Sequence, residues 1–486
     1  MNLKIINHTL GRLLEVLALI MVIPLLVAFI YRESAADKLN FLIPILVSGL
    51  LGALLVRLGD GNTHIYTREA LFITAACWVI FSIIGAIPLF RTASNYHTFL
   101  DAFFEMASGF TTCGASVAED VELLPHSIIF WRSLSHLIGG MGILVFTLAI
   151  LPKSNSESAN LLQAEMPGPS FGKITPRLGR TARVLYLIYL VMTLITAVFL
   201  LFGGMDLFDS LIYAMGTAGT GGFANRGLSI GYYDSRYIEM VLSVAMILFG
   251  INFNLYYFAL IGSVRNAFKS EELYWYLGIV GLSAVLIFFN IRNHYDTLSY
   301  AGIQSLFTVS SIVTTTGYVS VDYGTWPMIS KYILILLMFV GGSAGSTAGG
   351  FKVSRVLILI KSTINHIKKV INPKRITITK IDGKKMDEDL EESVNKYLVL
   401  YILVFVGILF IVCIDVGDFE SAFTAVTTTF NNVGPGLNEF GPINSFASMK
   451  PLTKFVLTIA MIFGRLELYP MLLLFSPYSY RRLRRK

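Results

Sequence analysis

Ten apolar runs recur along the 486 residues, at about 13–31, 41–56, 71–90, 128–151, 184–204, 237–262, 273–290, 332–360, 397–414 and 455–476. A bilayer core about 30 Å thick is crossed by roughly 20 helical residues, and each run reaches or nearly reaches that length. Inside hydrocarbon only helices and closed barrels keep every backbone group paired, and apolar runs of this length select helices. The composition agrees, with 55% hydrophobic and only 14% charged residues, where soluble domains carry about 25% charged. The expected fold class is therefore an all-α polytopic membrane protein. A net charge of +7 would by itself admit nucleic acid as a partner. The basic residues, however, sit in short loops between apolar runs, which argues against it. Lys4 and Arg12 precede the run Leu13–Tyr31, which lacks a small-residue cleavage site and reads as a retained first helix rather than a signal peptide. Cys77, Cys113 and Cys413 lie in or beside apolar runs, with no metal-ligand or disulfide-framework spacing.

Ten spans put both termini on one side of the membrane. Of the 38 Lys and Arg residues, 27 fall on the N-terminal side, including Lys153, Lys173, Arg177, Arg180, Arg183, the segment Lys361–Lys396 and the tail Arg481–Lys486. Ten fall on the opposite side, and Arg465 lies inside the last run. By the positive-inside rule both termini are expected to be cytoplasmic.

Four shorter apolar segments remain on the outer side, at about 99–111, 207–219, 300–314 and 419–431. They are too short to span but suit re-entrant helices; ordinary extracellular loops or misjudged span ends are the alternatives. Aligned without gaps on one glycine each, they read "AFFEMASGFTTCGAS", "SLIYAMGTAGTGGFA", "SLFTVSSIVTTTGYV" and "AFTAVTTTFNNVGPG". Each begins with a small residue and Phe or Leu, and each ends in polar residues before Gly114, Gly222, Gly317 or Gly434. Two full spans separate consecutive segments. The repeating unit is thus span, re-entrant helix, glycine loop, span, four times over. The expected organisation is 1–60 for two leading helices, 61–155, 156–265 and 266–375 for the first three units, and 376–486 for the fourth with its preceding cytoplasmic segment.

A small cation enters a membrane only if something replaces its water shell, and rings of backbone carbonyls do this in potassium-channel filters. Presenting successive carbonyls to one axis needs a loop with at least one residue free to adopt positive φ, which glycine does without steric cost. A short helix whose C-terminal, partially negative end points inward favours a cation as well. Four such loops from one chain make a pseudo-fourfold ring.

With these repeats in view, the sequence resembles the Trk/Ktr/HKT superfamily of potassium transporters, and within it the bacterial TrkH/TrkG type. The resemblance covers essentially the whole chain, including "SHLIGGMG", "GGSAGSTAGGFK" and "GRLELYP". It implies potassium uptake across a bacterial inner membrane through filter carbonyls of Thr112, Cys113 and Gly114, of Thr220, Gly221 and Gly222, of Thr315, Thr316 and Gly317, and of Asn432, Val433 and Gly434, with Thr111 at the edge of the first loop. It also implies a homodimer among membrane lipids, gated by a cytoplasmic nucleotide-binding ring of the TrkA type. No loop carries the full Thr-Val-Gly-Tyr-Gly of potassium channels, so permeation is implied more firmly than strict discrimination against sodium. The transported potassium ion is the only ligand expected, with no organic cofactor; the chain has no dinucleotide fingerprint. A proton- or sodium-coupled symporter on the same scaffold is the runner-up. The ion-conducting subunit of an ATP-driven pump is another reading, in which the ATPase would be a separate chain. No convergent acid, base, nucleophile or metal set supports an enzyme.

Three further features stand out. Five of the ten residues Gly341–Gly350 are glycine (Gly341, Gly342, Gly345, Gly349 and Gly350), inside the eighth run. Each lowers helix stability by about 1 kcal/mol relative to alanine. The segment is either a close-packed helix contact or an unwound loop acting as a gate, the role the resemblance supports. Arg465 lies near the middle of the last run, where a charge costs about 2.5–3.5 kcal/mol or more. It either pairs with Glu467 or backbone, or raises the barrier to ion passage; both hold if it binds carbonyls of the glycine loop. Arg132, His136, Asn252 and Asn254 read as packing or cavity-lining groups, and Glu105 as a capping or repeat-to-repeat contact. Finally, "RITITKIDGKKMD" in the segment Lys361–Lys396 alternates through Ile376 and Ile378 into an Asp382-Gly383 turn. It reads as a small hairpin, either a solvated loop or a docking surface for the regulatory ring.

Overall fold

A computed structural model of the chain describes residues 2–61, 65–92, 95–142, 178–260, 262, 268–375, 377–466 and 468–475. The end of the fourth apolar run, the unit boundaries near 155 and 265, Lys153, Lys173, Arg177, Ile376, Glu467 and the tail Arg481–Lys486 lie outside the described residues.

Two leading helices, α1 (Leu3–Ile30) and α2 (Ala35–Leu58), pack against each other. Unit one follows with α3 (Thr67–Thr92), α4 (Phe99–Phe110) and α5 (His126–Gly140). Unit two holds α6 (Leu178–Phe202), α7 (Leu207–Gly219), α8 (Arg236–Phe249) and α9 (Phe253–Leu260). Unit three holds α10 (Glu271–Ile291), α11 (Leu298–Val313), α12 (Met328–Val340) and α13 (Val353–Ile371). A hairpin of β1 (Lys380–Ile381) and β2 (Lys384–Lys385), with Lys380 opposite Lys385, precedes unit four. That unit holds α14 (Glu388–Val412), α15 (Phe419–Phe430), α16 (Pro451–Leu466) and α17 (Leu468–Phe475).

Helices α1, α2, α3, α6, α10 and α14 are each long and apolar enough to cross a membrane. Their outward faces carry Leu46, Leu50 and Leu54 on α2 and Leu403, Val406 and Phe410 on α14, all exposed, as lipid contact requires. The second spans behave differently. The sixth apolar run, expected as one span over 237–262, breaks after Phe249, and α8 and α9 meet at 86°. The eighth run breaks between Val340 and Val353.

The four short helices α4, α7, α11 and α15 have 12, 13, 16 and 12 residues. At 1.5 Å rise per residue none exceeds about 24 Å, short of a bilayer core. Their ends fall within two residues of the sequence expectation. Each opens on a capping side chain: Thr98, Asp206, Thr297 and Asp418 accept from the N–H of Asp101, Asp209, Tyr300 and Ser421. An acceptor there satisfies one of the four orphan donors of a helix start.

The units close into a ring. The second span of each unit packs on the short helix of the next: α5 on α7, α8 on α11, α12 on α15, and α16 back on α4. In the last three pairs the fourth residue of the span makes the contact. Glu239 accepts from Gln304 at 2.8 Å, Lys331 lies 4.0 Å from Glu420, and Lys454 pairs with Asp101 at 2.6 Å.

Candidate functional site

Each short helix ends the same way. The N–H groups of Cys113, Gly221, Thr316 and Val433 reach back five residues to the carbonyls of Ser108, Gly216, Ser311 and Thr428, at 2.8–2.9 Å. The residues just before, Thr112, Thr220, Thr315 and Asn432, are left-handed, with φ of 56°, 54°, 56° and 56°. This is the Schellman arrangement, in which glycine is the usual left-handed residue. Here three β-branched threonines and an asparagine take the position, which is uncommon and strained. Two residues on, Gly114, Gly222, Gly317 and Gly434 are left-handed too, with φ of 82°, 76°, 79° and 101°. The sequence analysis expects at least one positive-φ residue per loop, the glycine, and the structure adds a second before it. An extended strand would alternate its side-chain and carbonyl directions. Left-handed residues on both sides of Cys113, Gly221, Thr316 and Val433 break that alternation and let successive carbonyls face the same way.

The loops meet in cyclic order. A Cβ placed on Gly114 would lie 2.0 Å from the carbonyl oxygen of Gly221, one on Gly222 2.0 Å from that of Thr316, and one on Gly317 2.1 Å from that of Val433. One on Gly434 would lie 2.8 Å from the carbonyl oxygen of Cys113, which completes the circle. Each glycine is therefore required twice, by its φ and by the neighbouring loop. Thr111, Thr112, Cys113, Thr220, Thr315, Thr316, Asn432 and Val433 are all fully buried. All the loop residues singled out from the sequence thus come together around one axis.

Buried polar side chains brace the ring. Arg132 of α5 pairs with Glu105 of α4 at 2.7 Å, donates to the carbonyl of Ala224 at 3.3 Å and lies over the Phe223 ring. Glu105 also accepts from Ser116 and from the N–H of Val117, both at 2.9 Å. His136 accepts from the N–H of Phe223 on Nε2 at 3.2 Å, so its proton sits on Nδ1 and is donated to the carbonyl of Gly109 at 2.8 Å. Arg132 and His136 therefore tie unit one to the loop of unit two. Tyr318 donates to the carbonyl of Tyr213, joining units three and two, and Asn432 donates to the carbonyl of Met461.

On one side of the ring lies the loop Gly341–Gly350, which is not helical between Val340 and Val353. The close-packed helix reading of this segment is thereby set aside. Gly341, Gly345 and Gly350 have φ of 71°, 68° and 78°. Irregular backbone at membrane depth needs partners, and the break between α8 and α9 supplies several. Ser343 donates its N–H to the carbonyl of Gly250, Phe253 donates to the carbonyl of Gly345, and the Thr347 hydroxyl donates to the carbonyl of Phe249, at 3.0–3.2 Å. The loop also reaches the ring: Gly349 donates to the Thr315 hydroxyl at 2.6 Å, and Gly350 to the carbonyl of Asn431 at 3.1 Å. Gly342 accepts from the N–H of Val353 at 3.0 Å, at the start of α13. Arg465 of α16 donates to the carbonyl of Thr347 at 2.7 Å and to those of Gly139 and Gly140 at 2.6 Å. Its guanidinium thus links unit four to the loop of unit three and to the end of α5 in unit one. These three acceptors are all backbone carbonyls.

With the fold and site in place, comparison with known proteins is decisive. The sequence model of the TrkH family, cation transport proteins, matches residues 38–288 and 293–480. The chain belongs to the TrkH family. Among its relatives, TrkH of Escherichia coli K12, a Trk system potassium uptake protein, is 35% identical over 99% of this chain and 100% of its own length. TrkG of the same strain, also a Trk system potassium uptake protein, is 33% identical over 99% of both chains. The crystal structure of the potassium transporter TrkH from Vibrio parahaemolyticus superposes with a TM-score of 0.88 at 31% identity, covering 99% of this chain and 100% of that one. The resemblance to the Trk/Ktr/HKT superfamily and the all-helical membrane class are thus shown for the full length.

Proposed function

We propose that this TrkH-family chain takes up potassium through the ring of four loops, with backbone carbonyls replacing the ion's water shell. The observation that carries this reading is the cyclic fit of each loop glycine against the middle carbonyl of the next loop. Such a fit supports a closed circle of four loops whose carbonyls could surround a monovalent cation, the kind of coordination that carbonyl rings supply. The C-terminal ends of α4, α7, α11 and α15 lead into those loops, and their partial negative charge favours a cation. Potassium uptake by the relatives agrees with this reading.

The loop Gly341–Gly350 is the gate in this proposal. Arg465 holds it closed, and a cytoplasmic nucleotide-binding ring of the TrkA type releases it from the cytoplasmic side. The test is rubidium and sodium flux into proteoliposomes of purified protein without ATP, which separates passive conduction from pumping. Gly114→Val, Gly222→Val, Gly317→Val and Gly434→Val are each expected to lower rubidium flux or admit sodium while the protein still inserts. Wild-type rubidium-to-sodium ratios in all four variants would overturn the ring.

A further inference from the structure

Glu271 and Glu272 are neighbours at the start of α10, and they face different partners. The N–H of Glu271 donates to Oδ1 of Asp382, in the turn of the cytoplasmic hairpin, at 2.7 Å. The Glu271 carboxylate pairs with Lys361 of α13, which also donates to the carbonyl of Lys380 on β1 at 2.9 Å. Ile381 of the hairpin is buried with Ile358, Met386 and Val394. The hairpin is therefore docked onto α13 and the start of α10 by a packed side chain and two polar links.

Glu272 points the other way. It is buried, and its Oε1 accepts the N–H of Ala344, inside the glycine loop, at 2.7 Å. One carboxylate thus ties the glycine loop to the start of α10.

We propose that Glu272 is a positioning residue that couples the cytoplasmic hairpin to the loop Gly341–Gly350. A partner docked on the hairpin pulls on Asp382 and Lys361, shifts the first turn of α10, and draws the Glu272 carboxylate away from Ala344. The inference rests on the loop being the gate, and it adds the path by which a cytoplasmic contact reaches it. Spatial adjacency alone is a weak warrant for coupling, so the test is a mutant cycle.

Rubidium influx into proteoliposomes is measured for the full chain without any partner. The set comprises Glu272→Ala, Asp382→Ala, their double variant, a chain with the glycine loop shortened by several residues, and Glu272→Ala in that shortened chain. Size-exclusion profiles in detergent establish folding, with Glu272→Gln replacing the alanine variant if the latter is lost. Removing a charged acceptor from the buried N–H of Ala344 is expected to raise flux about tenfold in Glu272→Ala, and less in Asp382→Ala. The double variant should conduct no more than Glu272→Ala, and Glu272→Ala should add nothing to the shortened loop. Wild-type flux in folded Glu272→Ala, with raised flux in the shortened loop, would overturn the coupling and leave the gate standing. Additive effects of the two substitutions would also overturn it, because they would act by separate routes. A folded, shortened-loop chain that conducts no more than wild type would overturn the gate and the coupling together.

Discussion

Thr220 and Thr315 occupy equivalent left-handed positions, yet their hydroxyls do different things. Thr220 donates to the carbonyl of Gly219, its own neighbour, at 2.6 Å, while Thr315 accepts the N–H of Gly349 from the glycine loop. A left-handed residue with a Cβ costs about 1–2 kcal/mol. Glycine removes that strain but gives back roughly 0.4–1 kcal/mol through the freer unfolded chain. Thr220→Gly should therefore change stability by no more than about 1.6 kcal/mol. Thr315→Gly also strips a buried N–H of its acceptor, a loss of about 1–3 kcal/mol. Thermal unfolding in detergent should rank the two in that order, and equal midpoints would show that the Thr315 hydroxyl contributes nothing to holding the loop. The ring glycines can be ranked as well. A methyl on Gly434 would meet the carbonyl of Cys113 at 2.8 Å, whereas the other three would meet theirs at 2.0–2.1 Å. Among the four alanine variants, Gly434→Ala is expected to keep the rubidium-to-sodium flux ratio nearest wild type.

At the scale of elements, the joints between units are polar and buried. The Glu105–Arg132 pair is almost fully enclosed, with 0% and 2% of the side chains exposed. Leaving one member of such a pair alone costs about 3–5 kcal/mol. Glu105→Leu and Arg132→Met are each expected to lower the unfolding midpoint sharply, and the double variant to lose less than the sum. It should not recover fully, because the N–H of Val117 and the carbonyl of Ala224 would lose partners. An additive double variant would mean that the two charges stabilise separate contacts. These joints also mark where the sequence stopped being informative. The short helices were legible because four segments of one length recur in register, each ended by a glycine. The left-handed threonines were not, since nothing in a Thr-Thr or Gly-Thr dipeptide signals positive φ. The break after Phe249 was hidden because apolar residues continue on both sides of Gly250, and its free backbone groups find partners 90 or more residues away, in Ser343 and Gly345. Nothing in the sequence around Glu272 sets it apart from the other charges beside apolar runs. Its contact with Ala344 depends on how two spans of unit three fold together.

For the whole molecule, the pseudo-fourfold ring is symmetric at the loops and asymmetric beside them. All four loops share the same turn and glycine, but among the described residues the long unwound segment between Val340 and Val353 belongs to unit three, and a guanidinium of unit four donates to it. Arg465 spans that asymmetry by donating to the carbonyls of Thr347 in unit three and of Gly139 and Gly140 in unit one. A planar fork with five N–H donors can serve three carbonyls in separate directions, while an ammonium is a compact point charge with a different reach. If the arginine closes the pathway by both its charge and these bonds, Arg465→Lys should keep the charge and lose part of the geometry. Rubidium flux should then rise modestly in Arg465→Lys and further in Arg465→Ala, per folded transporter. A purely electrostatic barrier predicts wild-type flux in the lysine variant, and a purely structural bridge predicts poor assembly of both without raised flux in the folded fraction. The graded outcome is expected because the same side chain carries a positive charge and ties the glycine loop to the end of α5 in a different unit.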